Sequence, residues 1–142
     1  MGVINDNIFK LVIVFLLIGV YGQNQASTLL SLTGAIYVLP FLLFSSTAGI
    51  LADKFSKQRL LAFMKIVEII LMSFAIFAFA IKSVWIIFIL LFLLAFHSAM
   101  FGPSKYAIIP ELVAQDKVSR ANGAITSFTY MGIILGTFLA SF

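Results

Sequence analysis

Charged residues fall into a few short clusters along this chain, and between the clusters run stretches of some twenty residues with scarcely a charge. A helix needs about 20 apolar residues to cross a hydrocarbon core of about 30 Å. On that ruler the pattern predicts membrane-spanning helices over residues 3–22, 29–52, 60–81, 84–103 and 121–142. Residues 23–28 form a short uncharged polar turn, and Lys82 and Ser83 leave room only for a tight one. The break at 53–59 is charged, with Asp53, Lys54, Lys57 and Arg59. Residues 104–120 are polar again, and Pro110 followed by Glu111 has the form of a helix start, which predicts a short surface helix there. Pro40 lies inside the second apolar run and should kink or loosen it, while Gly102 and Pro103 should break the fourth. Gly132 and Gly136 form a Gly-x-x-x-Gly face suited to close helix packing.

Composition supports lipid as the solvent. Hydrophobic residues make up 63% of the 142, with 16 phenylalanines and 10% charged residues, too apolar for a water-soluble domain of this size. The formal net charge of +4 does not point to nucleic acid, because the basic residues are scattered through short loops or lie inside apolar runs. Their distribution reports topology instead. Lys54, Lys57, Arg59, Lys117 and Arg120 fall on one side and Lys82 on the other, so the positive-inside rule makes the amino end cytoplasmic. The absence of cysteine excludes disulfides, thiolate metal sites and a cysteine nucleophile. Asn5, Asp6 and Asn7 stand where a signal peptide would have a basic stretch, so the first apolar run is expected to stay in the membrane.

Charges inside the apolar runs are candidates for function, since one at mid-bilayer costs about 2.5–3.5 kcal/mol on insertion scales. Asn5, Asp6, Asn7 and Lys10 make a polar cluster that a water-filled cavity would accept and lipid would reject. Asp6 stays near the surface if Met1 begins the helix there, and lies deeper if more chain precedes it. Glu68 lies about 12 Å into the third run, too deep to reach water, and shares a helix face with Lys65 three positions earlier. An interior ion pair and a substrate or proton role both fit that pair; Lys65 alone could also snorkel. Lys105 is either an interfacial anchor or a cavity-lining cation. His97, a lone histidine on an apolar helix, is expected as a neutral packing residue, and an acyltransferase histidine would want an aspartate five positions on, where this chain has Gly102. No P-loop, metal-ligand cluster or nucleophile elbow occurs, so neither an enzyme nor a cofactor or metal is expected in these residues.

Gly49-Ile-Leu-Ala-Asp53-Lys54-Phe-Ser56-Lys57-Gln-Arg59 resembles the loop between the second and third helices of the major facilitator superfamily: a glycine, an aspartate four residues on, then a basic run. Ser56 stands where that pattern has a further glycine. Within the superfamily the chain is similar to lysophospholipid transporters, including the permease portion of bacterial fusions with acyltransferase and acyl-carrier-protein synthetase domains. The likeness rests on Asn5-Asp6-Asn7-Ile-Phe-Lys10, Ala52-Asp53-Lys54-Phe-Ser-Lys57, Lys65-Ile-Val-Glu68-Ile, Phe101-Gly-Pro-Ser-Lys105-Tyr106, Ile109-Pro110-Glu111-Leu112 and Arg120-Ala-Asn122-Gly123. It implies an all-α polytopic membrane protein of twelve helices in two similar halves around a central cavity, working by alternating access, of which this chain would supply the first five.

The resemblance further implies a lysophospholipid substrate moved across or from the inner membrane, with Asp6 and Lys105 as the main cavity contacts and Asn5, Asn7, Lys10, Lys65 and Glu68 in support. The expected partners are the bilayer, the remaining helices and a fused or associated acyltransferase. Asp53, Lys54, Lys57 and Arg59 would belong to a cytoplasmic latch between the two halves, with Gly49 permitting close helix approach. Both chain ends read as the edges of a fragment, whose five helices would leave Asp6, Lys65 and Glu68 facing lipid. Two other readings stay open: export of drugs or small metabolites by the same superfamily, and a non-transporting membrane remnant.

Overall fold

The computed structural model of the protein describes residues 2–141. Among them the chain is helical, with no strand: α1 (Gly2–Tyr21), α2 (Ala26–Lys54), α3 (Lys57–Ala80), α4 (Val84–Ala107), the four-residue α5 (Ile109–Leu112) and α6 (Val118–Leu139), with single 3-10 turns at Gln23–Gln25 and Gln115–Lys117. Helix is the form in which a continuous apolar segment satisfies its own backbone groups without water. Four segments, Gly2–Tyr21, Gln23–Lys54, Lys57–Ala80 and Val84–Leu112, are long and apolar enough to cross a membrane. The fifth predicted span, 121–142, is not among them: α6 has 22 residues, but Ser119, Arg120, Asn122, Thr126 and Thr129 make it more polar than the other four.

The long helices alternate in direction, so the 53–56 loop and the 108–117 segment share one end, called here the basic end. The Gly22 and Lys82 turns share the other. Both turns need a left-handed residue, Gly22 at φ 87° and, unusually for a side-chain-bearing residue, Lys82 at φ 52°. Helix α4 is the central strut, packed on α2, α3 and α1, while α6 joins the bundle mainly along α1. The apolar core lies toward the far end: Phe9, Ile13 and Leu17 of α1 meet Leu29 of α2, Ala75 and Ala78 of α3, and Ile87, Leu90, Leu91 and Leu94 of α4. The outer surface is apolar as well, with Leu42, Ile76, Phe77 and Trp85 largely exposed, as expected where lipid tails are the neighbours.

Several local expectations are corrected. Helix α2 runs through Pro40 without a break, and α4 through Gly102 and Pro103 as far as Ala107. Each proline removes one ladder donor, but releasing the flanking backbone as well would leave further groups unmade where no water can replace them. Pro40 is fully buried. The predicted surface helix shrinks to α5, because α4 takes residues 104–107 and Val113 and Ala114 are extended. Pro110 does sit in the first turn of α5.

The α1–α6 contact is close because α6 presents glycine to it. A Cβ at Gly136 would lie 2.7 Å from the Ile4 carbonyl oxygen and 3.0 Å from Asn7 Cβ, and one at Gly132 would lie 3.3 Å from Ile4 Cγ1. Both glycines are buried. Gly49 and Gly102 differ: among the described residues no atom lies within 4 Å of a Cβ built there. Gly49 therefore makes no close helix approach within this bundle, because its side of α2 faces outward.

Candidate substrate cavity

Toward the basic end the helices diverge around a cavity of about 640 Å³. Asp6, Asn7 and Lys10 of α1, Tyr37 and Phe41 of α2, Lys65 and Glu68 of α3, His97, Ser98, Phe101 and Lys105 of α4, and Phe128, Thr129 and Gly132 of α6 line it. Helical spacing puts them there: on α4, positions 97, 98, 101 and 105 recur on one face, as do 125, 128, 129, 132 and 133 on α6. Asn5 is not among the lining residues and is only partly buried, since one residue of helix turns the side chain by about 100° away from its neighbour Asp6.

Asp6 lies beside Ser98, whose hydroxyl donates to Oδ2. Ser98 precedes the end of α4 by nine residues, about 14 Å of helix, so Asp6 is deep in the bundle rather than within reach of the surface. It is 9% exposed. Glu68 accepts from the Lys65 ammonium at 2.6 Å, with the two side chains 12% and 46% exposed respectively. Gly2 stands over this pair, since a Cβ there would lie 3.2 Å from Glu68 Oε1. Asp6 and Glu68 are therefore screened within the segment itself, contrary to the expectation that they face lipid. The Lys65 ammonium is the more open partner, and it rests 5.0 Å from the Phe101 ring centroid.

Two cavity lysines have no carboxylate partner among the described residues. Lys10 Nζ reaches Asn7 Oδ1 at 3.5 Å and lies 5.0 Å from the centre of the Tyr37 ring. Asn7 is itself fixed by donating to the Val3 carbonyl at 2.8 Å. Lys105 Nζ donates to Thr129 Oγ1 at 3.0 Å across the cavity and sits 4.8 Å from the Tyr106 ring centre. Thr129 in turn donates to Ile125 O at 2.7 Å, which orients its oxygen to accept. Hydroxyl and aromatic neighbours leave the positive charge of both lysines available to an anion.

His97 is 4% exposed, and its Nε2 donates to the carbonyl of Met64 on α3 at 2.7 Å. Its ring stacks on Phe101, with centroids 6.1 Å apart. Hydropathy pointed to His97 only as packing, and gave no hint of Ser98 or Thr129, whose importance comes from the Asp6 and Lys105 opposite them. Outside the cavity, Lys57 at the start of α3 pairs with Glu111 of α5 at 2.8 Å. Lys57 thus has a partner within this bundle, where the loop resemblance implied one in the other half of a transporter.

Long apolar helices, a lipid-compatible surface and a cavity between the helices that holds charged side chains on a largely apolar wall together define a multi-pass membrane protein. A sequence model of the Major Facilitator Superfamily matches residues 1–142, and the chain belongs to that superfamily. It is also similar to proteins named lysophospholipid transporter LplT: 32% identical over 102 residues to that of Enterobacter sp. (strain 638), covering 72% of this chain and 24% of the relative. The protein of that name from Photorhabdus laumondii subsp. laumondii is 30% identical over 108 residues, 75% of this chain and 25% of the relative. The chain spans about a quarter of the length of the curated relatives it matches. No solved structure matches it.

Proposed function

We propose that the complete gene product is a transporter, not an enzyme, that moves lysophospholipid across a bacterial inner membrane by alternating access. The observation that carries this reading is the cavity itself, where Lys10 and Lys105 present ammonium groups with no salt-bridge partner among the described residues, beside Asp6, inside a bundle whose outer face is apolar. A phosphate in the headgroup suits those ammonium groups, and a single acyl chain suits the aromatic wall of Phe41, Phe101 and Phe128. The similarity to the LplT proteins supports the same substrate class.

In this reading Asp6 and Lys105 are the main headgroup contacts, and Asn7, Lys10, Lys65 and Glu68 complete the polar wall. The basic end faces the cytoplasm, placing Asp53, Lys54, Lys57 and Arg59 in the latch that closes that side, with the Lys57 and Glu111 pair holding the loop in shape. An acyltransferase, fused or associated, would consume the transported lipid.

The test is uptake of labelled lysophosphatidylethanolamine by proteoliposomes holding the complete gene product. Asp6→Ala and Lys105→Ala should each abolish uptake while leaving membrane insertion intact. Normal uptake by both variants would overturn the assignment.

A further inference from the structure

The His97 imidazole is committed on one side only. Its Nε2 donates to Met64 O, and a carbonyl cannot donate in return, so Nε2 carries the proton and Nδ1 of the neutral ring is left as an acceptor. Nδ1 is buried and has no hydrogen-bond partner among the described residues. A buried acceptor without a donor is unfavourable and uncommon in folded proteins. His97 also lines the cavity, one position from Ser98, which holds Asp6, and one turn from Phe101.

The remaining cavity chemistry narrows what Nδ1 could receive. Ammonium groups are offered by Lys10, Lys65 and Lys105, and carboxylates by Asp6 and Glu68. A phosphate or an amine of a ligand thus has ionic partners elsewhere. What suits a neutral ring nitrogen with a lone pair is a neutral hydroxyl donor.

We propose that His97 Nδ1 accepts a hydrogen bond from the free glycerol hydroxyl of the transported lipid, and that this contact selects lipids with one acyl chain over those in which the hydroxyl is esterified or missing. The inference rests on the lysophospholipid reading above and adds a specificity residue to it. A site that holds a hydroxyl by a buried acceptor disfavours an analogue without it, because the acceptor is then left unmade. Nδ1 is buried and the Phe101 ring stacks on the imidazole, so the contact requires that ring to move aside when the lipid binds. The tie to Met64 selects the tautomer with the proton on Nε2, so in the neutral ring Nδ1 is the acceptor.

The experiment measures uptake of 1-acyl-2-hydroxy-glycerophosphoethanolamine and of its 2-deoxy analogue by the complete gene product in proteoliposomes. The natural protein should favour the 2-hydroxy lipid about tenfold, the scale of one buried hydrogen bond. In His97→Gln the amide nitrogen can still reach Met64 O, but no acceptor stands at the Nδ1 position, and the preference should fall to near one. In His97→Asn an oxygen can stand near the Nδ1 position, and part of the preference should survive. Equal uptake of both lipids by the natural protein would overturn the inference and leave the transport reading standing. So would a tenfold preference retained in His97→Gln. Failure of the natural protein to take up either lipid would overturn the transport reading and this inference with it.

Discussion

Ser98 is the donor that meets the most deeply placed carboxylate of the chain. Removing it should leave Asp6 buried with an unmade acceptor, at a cost of about 1–3 kcal/mol. Ser98→Ala should therefore lower the thermal unfolding midpoint of the purified protein in detergent, whereas Ser98→Thr, which keeps the hydroxyl, should leave it nearly unchanged. The Lys65 and Glu68 pair behaves differently. Its lysine is 46% exposed and opens on the cavity, so with water filling the cavity a double-mutant cycle with Lys65→Met and Glu68→Gln should give a coupling of no more than about 1 kcal/mol. Membrane insertion cost was enough to single out Asp6, Lys10, Lys65 and Glu68 from the sequence, since each lies within an apolar run, while Lys105 was marked by its place just past one and by the family resemblance. Their partners were not legible. Ser98 is 92 positions from Asp6 and Met64 is 33 from His97, and such pairings depend on the register between helices that hydropathy does not encode.

At the scale of elements, the apolar runs marked the long helices, and both internal prolines misled. Each removes only one ladder bond, and in lipid the rest of the ladder has every reason to persist. Glycine spacing was more informative on α6 than on α2. Gly136→Ala should push a methyl into the Ile4 backbone carbonyl and destabilise the α1–α6 contact by about 1–3 kcal/mol, because a backbone atom cannot turn aside. Gly132→Ala meets only side-chain atoms, of Ile4 at 3.3 Å and of Val3 at ordinary contact distance, and should cost less than about 1 kcal/mol. Thermal unfolding in detergent, compared across the two variants, separates these outcomes; equal losses would mean that α1 and α6 can slide apart freely.

For the molecule as a whole, the alternation of helix directions gathers Lys54, Lys57, Arg59, Lys117 and Arg120 at one end and leaves Lys82 at the other. The chain has no cysteine, so a single introduced thiol reports its own side of the membrane. In intact cells, Ser83→Cys should react with a membrane-impermeant maleimide, and Ser56→Cys should react only after permeabilisation. The reverse pattern would invert the topology. The Lys57 and Glu111 pair lies at the exposed basic end, so a double-mutant cycle should show only weak coupling, weaker still as salt is raised.

The contact between Lys105 and Thr129 does two jobs with one ammonium. It is a strap across the mouth between α4 and α6, helices that otherwise meet chiefly through α1, and it is also a charge waiting for an anion. Lys105 need not keep both partners at full strength. An anion that drew this ammonium inward would weaken its bond to Thr129 and leave Tyr106 and Thr126 as a remaining polar contact between α4 and α6.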